Sequence, residues 1–159
     1  MNQLIRGAFS GSVATVLMTI VILGGRKLFG FHTAPPVEIT RRISRRVGIS
    51  QPRSDEGFQV FWMAGHLAYG AACGVLYVLV RRLLPPRPVT AGLIAGGTVW
   101  GVSYLGYLPA LSLYPSPDED ADDRTLVMLA AHAVYGVALA ETEHLLTDRF
   151  PERNQTSGW

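Results

Sequence analysis

The sequence predicts an all-α integral membrane protein: four transmembrane helices arranged as two parallel two-helix repeats, with a short basic amphipathic helix in the first loop. Three observations carry that prediction. The charged side chains, 14 basic and 12 acidic, avoid four windows completely, so that residues 7–25, 57–80, 88–117 and 125–140 contain no Asp, Glu, Lys or Arg. Spanning the hydrocarbon core as a helix takes about 20 mostly apolar residues, and three of the windows reach or approach that length unaided. Small residues recur at i and i+4 along the windows, the spacing that lets helix backbones approach in lipid. Finally, the second and fourth windows share a motif. A charged content of 16%, against about 25% in soluble domains, agrees with a single integral membrane domain over residues 1–159.

The first span is expected over residues 4–25. Its apolar stretch is long and no small-x-small cleavage site precedes Arg26 and Lys27, so it reads as a retained helix rather than a leader. Ser12, Thr15 and Thr19 form a polar stripe on it. Hydroxyls so placed bond back to their own helix or to a neighbour more often than they line a pore. The loop over residues 26–57 has its own structure. Pro35 and Pro36 break the chain, and Ile39, Ile43 and Val47 then recur every four residues, with Arg41, Arg42, Arg45 and Arg46 on the rest of the surface. Such a helix lies along a lipid headgroup layer or stands as a solvated basic helix.

The second span is expected over residues 58–80, with Phe61 and Trp62 as interface anchors. The proline-rich linker Leu83–Pro88 is short, which predicts that the second and third spans are antiparallel neighbours. The third span covers residues 89–111, with Pro109 bending its last turn. An acidic loop follows, holding Asp118, Glu119, Asp120, Asp122 and Asp123, and leads to a fourth span over residues 125–146. Its charge-free window is short and extends to the turn with Glu141, Glu143 and His144, which reads as a solvated helix end. Residues 148–159 form a polar tail.

The shared motif is Gly65-His66-Leu67-Ala68-Tyr69-Gly70 against Ala131-His132-Ala133-Val134-Tyr135-Gly136. The first and third spans match more loosely, Gly7-x-x-x-Gly11 against Gly92-x-x-x-Gly96. Each copy crosses the bilayer twice, so both insert in one direction, related by an axis along the membrane normal. Helix packing is expected at Gly7, Gly11, Gly70, Gly74, Gly92, Gly96, Gly97, Gly101 and Gly136.

The repeat places His66 and His132 at similar depth, with Tyr69 and Tyr135 at i+3 on the same faces. Ionisable groups inside a membrane are costly and point to function. Three readings of the pair are open: neutral imidazoles satisfied by hydrogen bonds in helix packing, bis-histidine ligation of haem b, and proton sensing or relay. No metal spacing, phosphate loop or nucleophile elbow is present, so no catalytic residue, metal or cofactor is expected beyond the haem alternative. Cys73, the single cysteine, reads as a small packing residue. The net charge of +2 is too small for a nucleic-acid partner. The partners expected are membrane lipids, other membrane proteins or further copies of the chain.

The layout resembles that of the YagU-like bacterial inner-membrane proteins, a family of unknown biochemical function. The resemblance rests on the small-residue helix Gly7–Val21, the Pro35-Pro36 turn, the His66 helix, the Gly92-Leu93-Ile94-Ala95-Gly96 opening and the His132 helix, and covers most of Arg6–Leu146. It implies a multi-pass protein of the bacterial inner membrane with a structural or acid-stress role, and assigns no catalytic residues. Orientation is balanced. One face holds Arg6, Arg81, Arg82, Arg87, Arg149 and Arg153; the other holds Arg26, Lys27, Arg41, Arg42, Arg45, Arg46, Arg53 and Arg124.

Overall fold

The computed structural model describes residues 1–150, and every regular element among them is helical. Most of the polar tail lies outside the described residues. Helix α1 runs Gln3–Phe29. It starts where the Asn2 side chain accepts a bond from the Leu4 N–H at 2.8 Å. It continues past Gly25 because Arg26 and Lys27 favour the negative end of the helix dipole, and stops at Gly30. There φ is +72° and the N–H donates back to the Arg26 carbonyl, an αL cap. Helix α2 spans Pro35–Arg46. It opens on the two prolines, whose missing N–H groups have no helical partner at a first turn in any case.

Helix α3 spans Asp55–Val80, capped by Ser54, and ends in a 3₁₀ turn at Arg81–Leu83. Helix α4 spans Pro88–Gly101, then widens into a π-helical stretch over Val102–Tyr107 before a last turn at Leu108–Ala110. Pro109 was expected to bend only that last turn. Lacking an N–H, it leaves the carbonyl four residues back without its helical donor. The chain departs from α geometry already at Val102, with Gly106 taking non-helical angles. Helix α5 spans Asp122–Arg149. The helices α1, α3, α4 with its continuation, and α5 are each long and apolar enough to cross a membrane. The protein is a multi-pass membrane protein.

Packing follows the glycines. Helix α1 lies between α3 and α5, and α4 packs on the far side of α5, giving the order α3–α1–α5–α4. Contacts pair Gly7 with Gly74 and Gly11 with Gly70 on α1 and α3, and Gly92 with Gly136 and Gly96 with His132 on α4 and α5. A side chain at any of these glycines would run into the facing backbone, or at Gly70 into Thr15. Bare backbone is what lets helices approach this closely. The second crossing is displaced by one turn relative to the first, since Gly96 meets His132 where Gly11 meets Gly70. Gly97 and Gly101 are not brought against another helix of the chain and face open space.

The short linker does not make α3 and α4 packed neighbours as expected. They run antiparallel but share no extended contact, because the glycine face of α3 is turned to α1 and that of α4 to α5. A gap between them results.

The stripe Ser12, Thr15 and Thr19 on α1 bonds back to its own helix. Thr15 donates to the Gly11 carbonyl and Thr19 to the Thr15 carbonyl, both at 2.7 Å, and Ser12 donates to Ala8. Trp62, expected at the interface, is instead 4% exposed, with its indole N–H on Gln59. Glu143 is buried as well, 8% exposed. It meets Arg6 at 3.6 Å across α1 and α5, so this helix end is not solvated.

Candidate functional site

The gap between α3 and α4 widens into a cavity of about 530 Å³ in the half of the bundle nearest α2. Each helix contributes for a local reason. On α3, His66, Tyr69 and Gly70 share one face through their i, i+3, i+4 spacing, and that face lines the cavity. On α5 the matching residues His132 and Tyr135 do the same, with Met128 one turn away. The π stretch adds a residue per turn, and Ser103, Tyr104 and Tyr107 from it line the opposite wall. Thr15 and Met18 of α1 form the floor.

Helix α2 covers one side. Its apolar residues Ile39 and Ile43 line the cavity, while Arg42, Arg45 and Arg46 face outward. The arginines are partly engaged. Arg41 and Arg42 pair with Glu38 at 3.6 and 2.8 Å, Arg41 stacks over Phe58, and Arg46 donates to the Leu111 carbonyl.

The structure brings His66 and His132 to one cavity, within electrostatic reach of each other. Their tautomers follow from their partners. His132 Nδ1 lies 2.7 Å from the Met128 carbonyl, which only accepts, so Nδ1 carries the proton. His66 Nδ1 lies 3.3 Å from Thr19 Oγ1. That hydroxyl already directs its proton to the Thr15 carbonyl, so it accepts and His66 Nδ1 donates. Both rings therefore hold their Nε2 as a free lone pair. Tyr69 receives a bond from the Tyr107 hydroxyl at 3.1 Å, which bridges the α3–α4 gap. Tyr135 reaches across to donate to the Gly70 carbonyl at 2.8 Å.

Residues that the sequence did not single out extend away from Tyr104, which lines the cavity. Tyr104, 1% exposed, donates to Asp120 at 2.7 Å. Asp120 pairs with Arg124 at 3.3 Å, and Arg124 donates to the Tyr114 hydroxyl at 3.1 Å. Burial pushes the Tyr114 phenol up from its usual range, which keeps it a neutral acceptor for Arg124. Trp100, Tyr104 and Tyr114 form a run of ring contacts beside this network. Asp120 and Arg124 stand four apart across a helix start. That spacing was a readable signal of pairing, masked by four other acids in the same loop.

Among the described residues no cluster of His, Cys, Asp and Glu has the composition of a metal site. The arrangement offers a half-open, largely apolar volume with two acceptor nitrogens and several hydroxyls. The chain belongs to the family of unknown function DUF6789, whose model matches residues 1–154. Neither the curated proteins nor the solved structures gave a match.

Proposed function

We propose that this member of the family is a bacterial inner-membrane binding protein. It takes a largely apolar molecule from the lipid through the gap between α3 and α4 and holds it against His66 and His132. One observation carries the reading: a cavity of about 530 Å³, walled mainly by apolar side chains, into which both histidines present their face. Small-molecule sites are concave, mostly apolar and about 300–1,000 Å³ in volume, with a few polar groups fixing orientation. Free Nε2 lone pairs select a ligand bearing a hydroxyl or amide donor. They give no binding to an anion. Helix α2 acts as the cover, with Ile39 and Ile43 inward and Arg42, Arg45 and Arg46 toward the lipid headgroups.

In this reading the two halves of the chain are copies of one two-helix unit. The paired glycine crossings support that, and their one-turn displacement is what makes the two histidine faces differ. The stress-related role implied by the family resemblance is a setting in which removal of a lipid-soluble molecule fits. A second reading is favoured by one specific observation. Both Nδ1 atoms are engaged and both Nε2 atoms are free, as bis-histidine haem ligation requires.

The test is mass spectrometry of an organic extract of detergent-purified protein, with its visible absorption spectrum. The expected result is a near-stoichiometric apolar molecule that falls about tenfold in a His66→Leu/His132→Leu variant of unchanged helicity. A Soret band lost in both single His→Ala variants converts the reading to haem binding. Protein that carries neither a pigment nor any molecule beyond bulk lipid overturns both.

A further inference from the structure

A second cavity of about 550 Å³ opens at the end of α1, lined by Leu23, Arg26, Lys27, Gly30, Phe31 and His32. It shares no residue with the cavity between α3 and α4. Cations in the last turn of a helix are ordinary complements to its dipole. Here they also wall a pocket, and no acidic side chain among the described residues pairs with them. Arg26 and Lys27 form no ion pair or side-chain hydrogen bond among the described residues. By contrast Arg42 is engaged by Glu38, Arg81 by the Pro85 and Pro86 carbonyls, and Arg124 by Asp120. His32 adds a ring N–H from the loop after the helix. The chain makes that loop turn back at Gly30, whose positive φ is one a side chain rarely adopts. Phe31 is fixed beneath the Arg124 guanidinium, 5.8 Å from ring centre to carbon, so the pocket has a rigid side as well as a charged one.

The geometry points to a site for the phosphate group of an anionic phospholipid, held by Arg26, Lys27 and His32. Phosphate is the anion that a cluster of guanidinium, ammonium and imidazole donors recognises. The lipid source follows from position. Leu23, one turn deeper on α1, is 41% exposed on a helix long and apolar enough to span the bilayer. A phosphate at Arg26 and Lys27 therefore sits at headgroup level with its acyl chain along Leu23. Basic pockets beside membrane helices bind anionic headgroups in this way.

The experiment is native mass spectrometry of the full chain, counting phosphatidic acid retained from mixed phosphatidic acid and phosphatidylcholine micelles. The wild-type chain is expected to retain phosphatidic acid, and Arg26→Gln/Lys27→Gln to lose it about tenfold or more. Arg53→Gln/Arg82→Gln removes the same charge from exposed positions outside the pocket and is expected to leave retention unchanged. Equal loss in the two double variants, or no loss in the first, overturns the site. Displacement of the lipid by millimolar inorganic phosphate overturns its lipid half and leaves the free anion as ligand. If Arg26→Gln/Lys27→Gln does not fold, His32→Gln alone carries the test, with a severalfold loss expected and unchanged retention refuting the site.

Discussion

The half of the bundle where α1 begins and the half where it ends are built on opposite principles. In the first, glycine faces glycine: Gly7, Gly11, Gly70 and Gly74 on one pair of helices, Gly92, Gly96 and Gly136 on the other. Backbones touch, and a buried Arg6–Glu143 pair closes the end. In the second, Met18, Met128, Tyr104, Tyr135 and the two histidines stand between the helices, and a cavity of about 530 Å³ remains. The difference teaches that in lipid side-chain size sets helix separation, since there is little hydrophobic drive to close a gap. Binding space arises beyond the last glycine-to-glycine contact.

The largest effect is expected at the closed end. Glu143→Ala takes this carboxylate from the buried Arg6, which keeps its bond to the Met1 carbonyl, and is predicted to lower stability by about 3 kcal/mol, the low end for a broken buried pair. Thermal unfolding in detergent measures it. A loss under about 1 kcal/mol would show that the pair is screened and that the glycine contacts alone close this half. Next come Gly70→Leu and Gly96→Leu, which place a side chain against Thr15 and against the His132 carbonyl. Overpacking costs about 1–3 kcal/mol, occasionally more, and a backbone carbonyl yields little. About 3 kcal/mol is expected at Gly96, and less at Gly70, where a threonine rotamer can give. Stability that is unchanged in both variants breaks the close-contact account.

A smaller effect is expected where the halves meet. Tyr135 donates to the Gly70 carbonyl at 2.8 Å, joining α5 to α3 although the two helices do not pack on one another. Tyr135→Phe is predicted to cost about 1 kcal/mol, the net worth of one such bond, while the ring still fills its place. If the melting temperature is unchanged and exchange at α3 amides rises, the bond positions α3 without holding the fold.

Much of this plan was legible in the sequence. The charge-free windows located the four long helices, because desolvating Asp, Glu, Lys or Arg is costly enough to exclude them from a span. The His66 and His132 motif located two walls of the cavity. What could not be read were interactions set by three-dimensional neighbours. Glu143 looked like a solvated helix end until α1 placed Arg6 against it. Gly97 and Gly101 have the same i, i+4 spacing as Gly92 and Gly96, yet face open space. Spacing marks a smooth helix face and does not say which face another helix will choose. The π stretch was hidden too. Pro109 announced a bend, but the departure from α geometry already begins at Val102.

The smallest effect on stability is expected from the substitution that most changes the cavity. Gly65 lies on α3 one turn before Tyr69, lines the cavity, and has nothing within 4 Å of where a Cβ would stand. Gly65→Leu therefore meets no obstacle, and by replacing glycine in a helix interior it is predicted to raise stability by up to about 1 kcal/mol. The same isobutyl group projects into the space offered to the ligand. Retention of any co-purifying apolar molecule should fall about tenfold while the melting temperature holds or rises. That pairing of outcomes is the reverse of the one expected at Gly70, five residues further along the same helix. If Gly65→Leu instead lowers stability as Gly70→Leu does, the gap between α3 and α4 is closed in the membrane. If ligand retention survives the substitution, the molecule is held elsewhere, and the open half is a packing defect rather than a site.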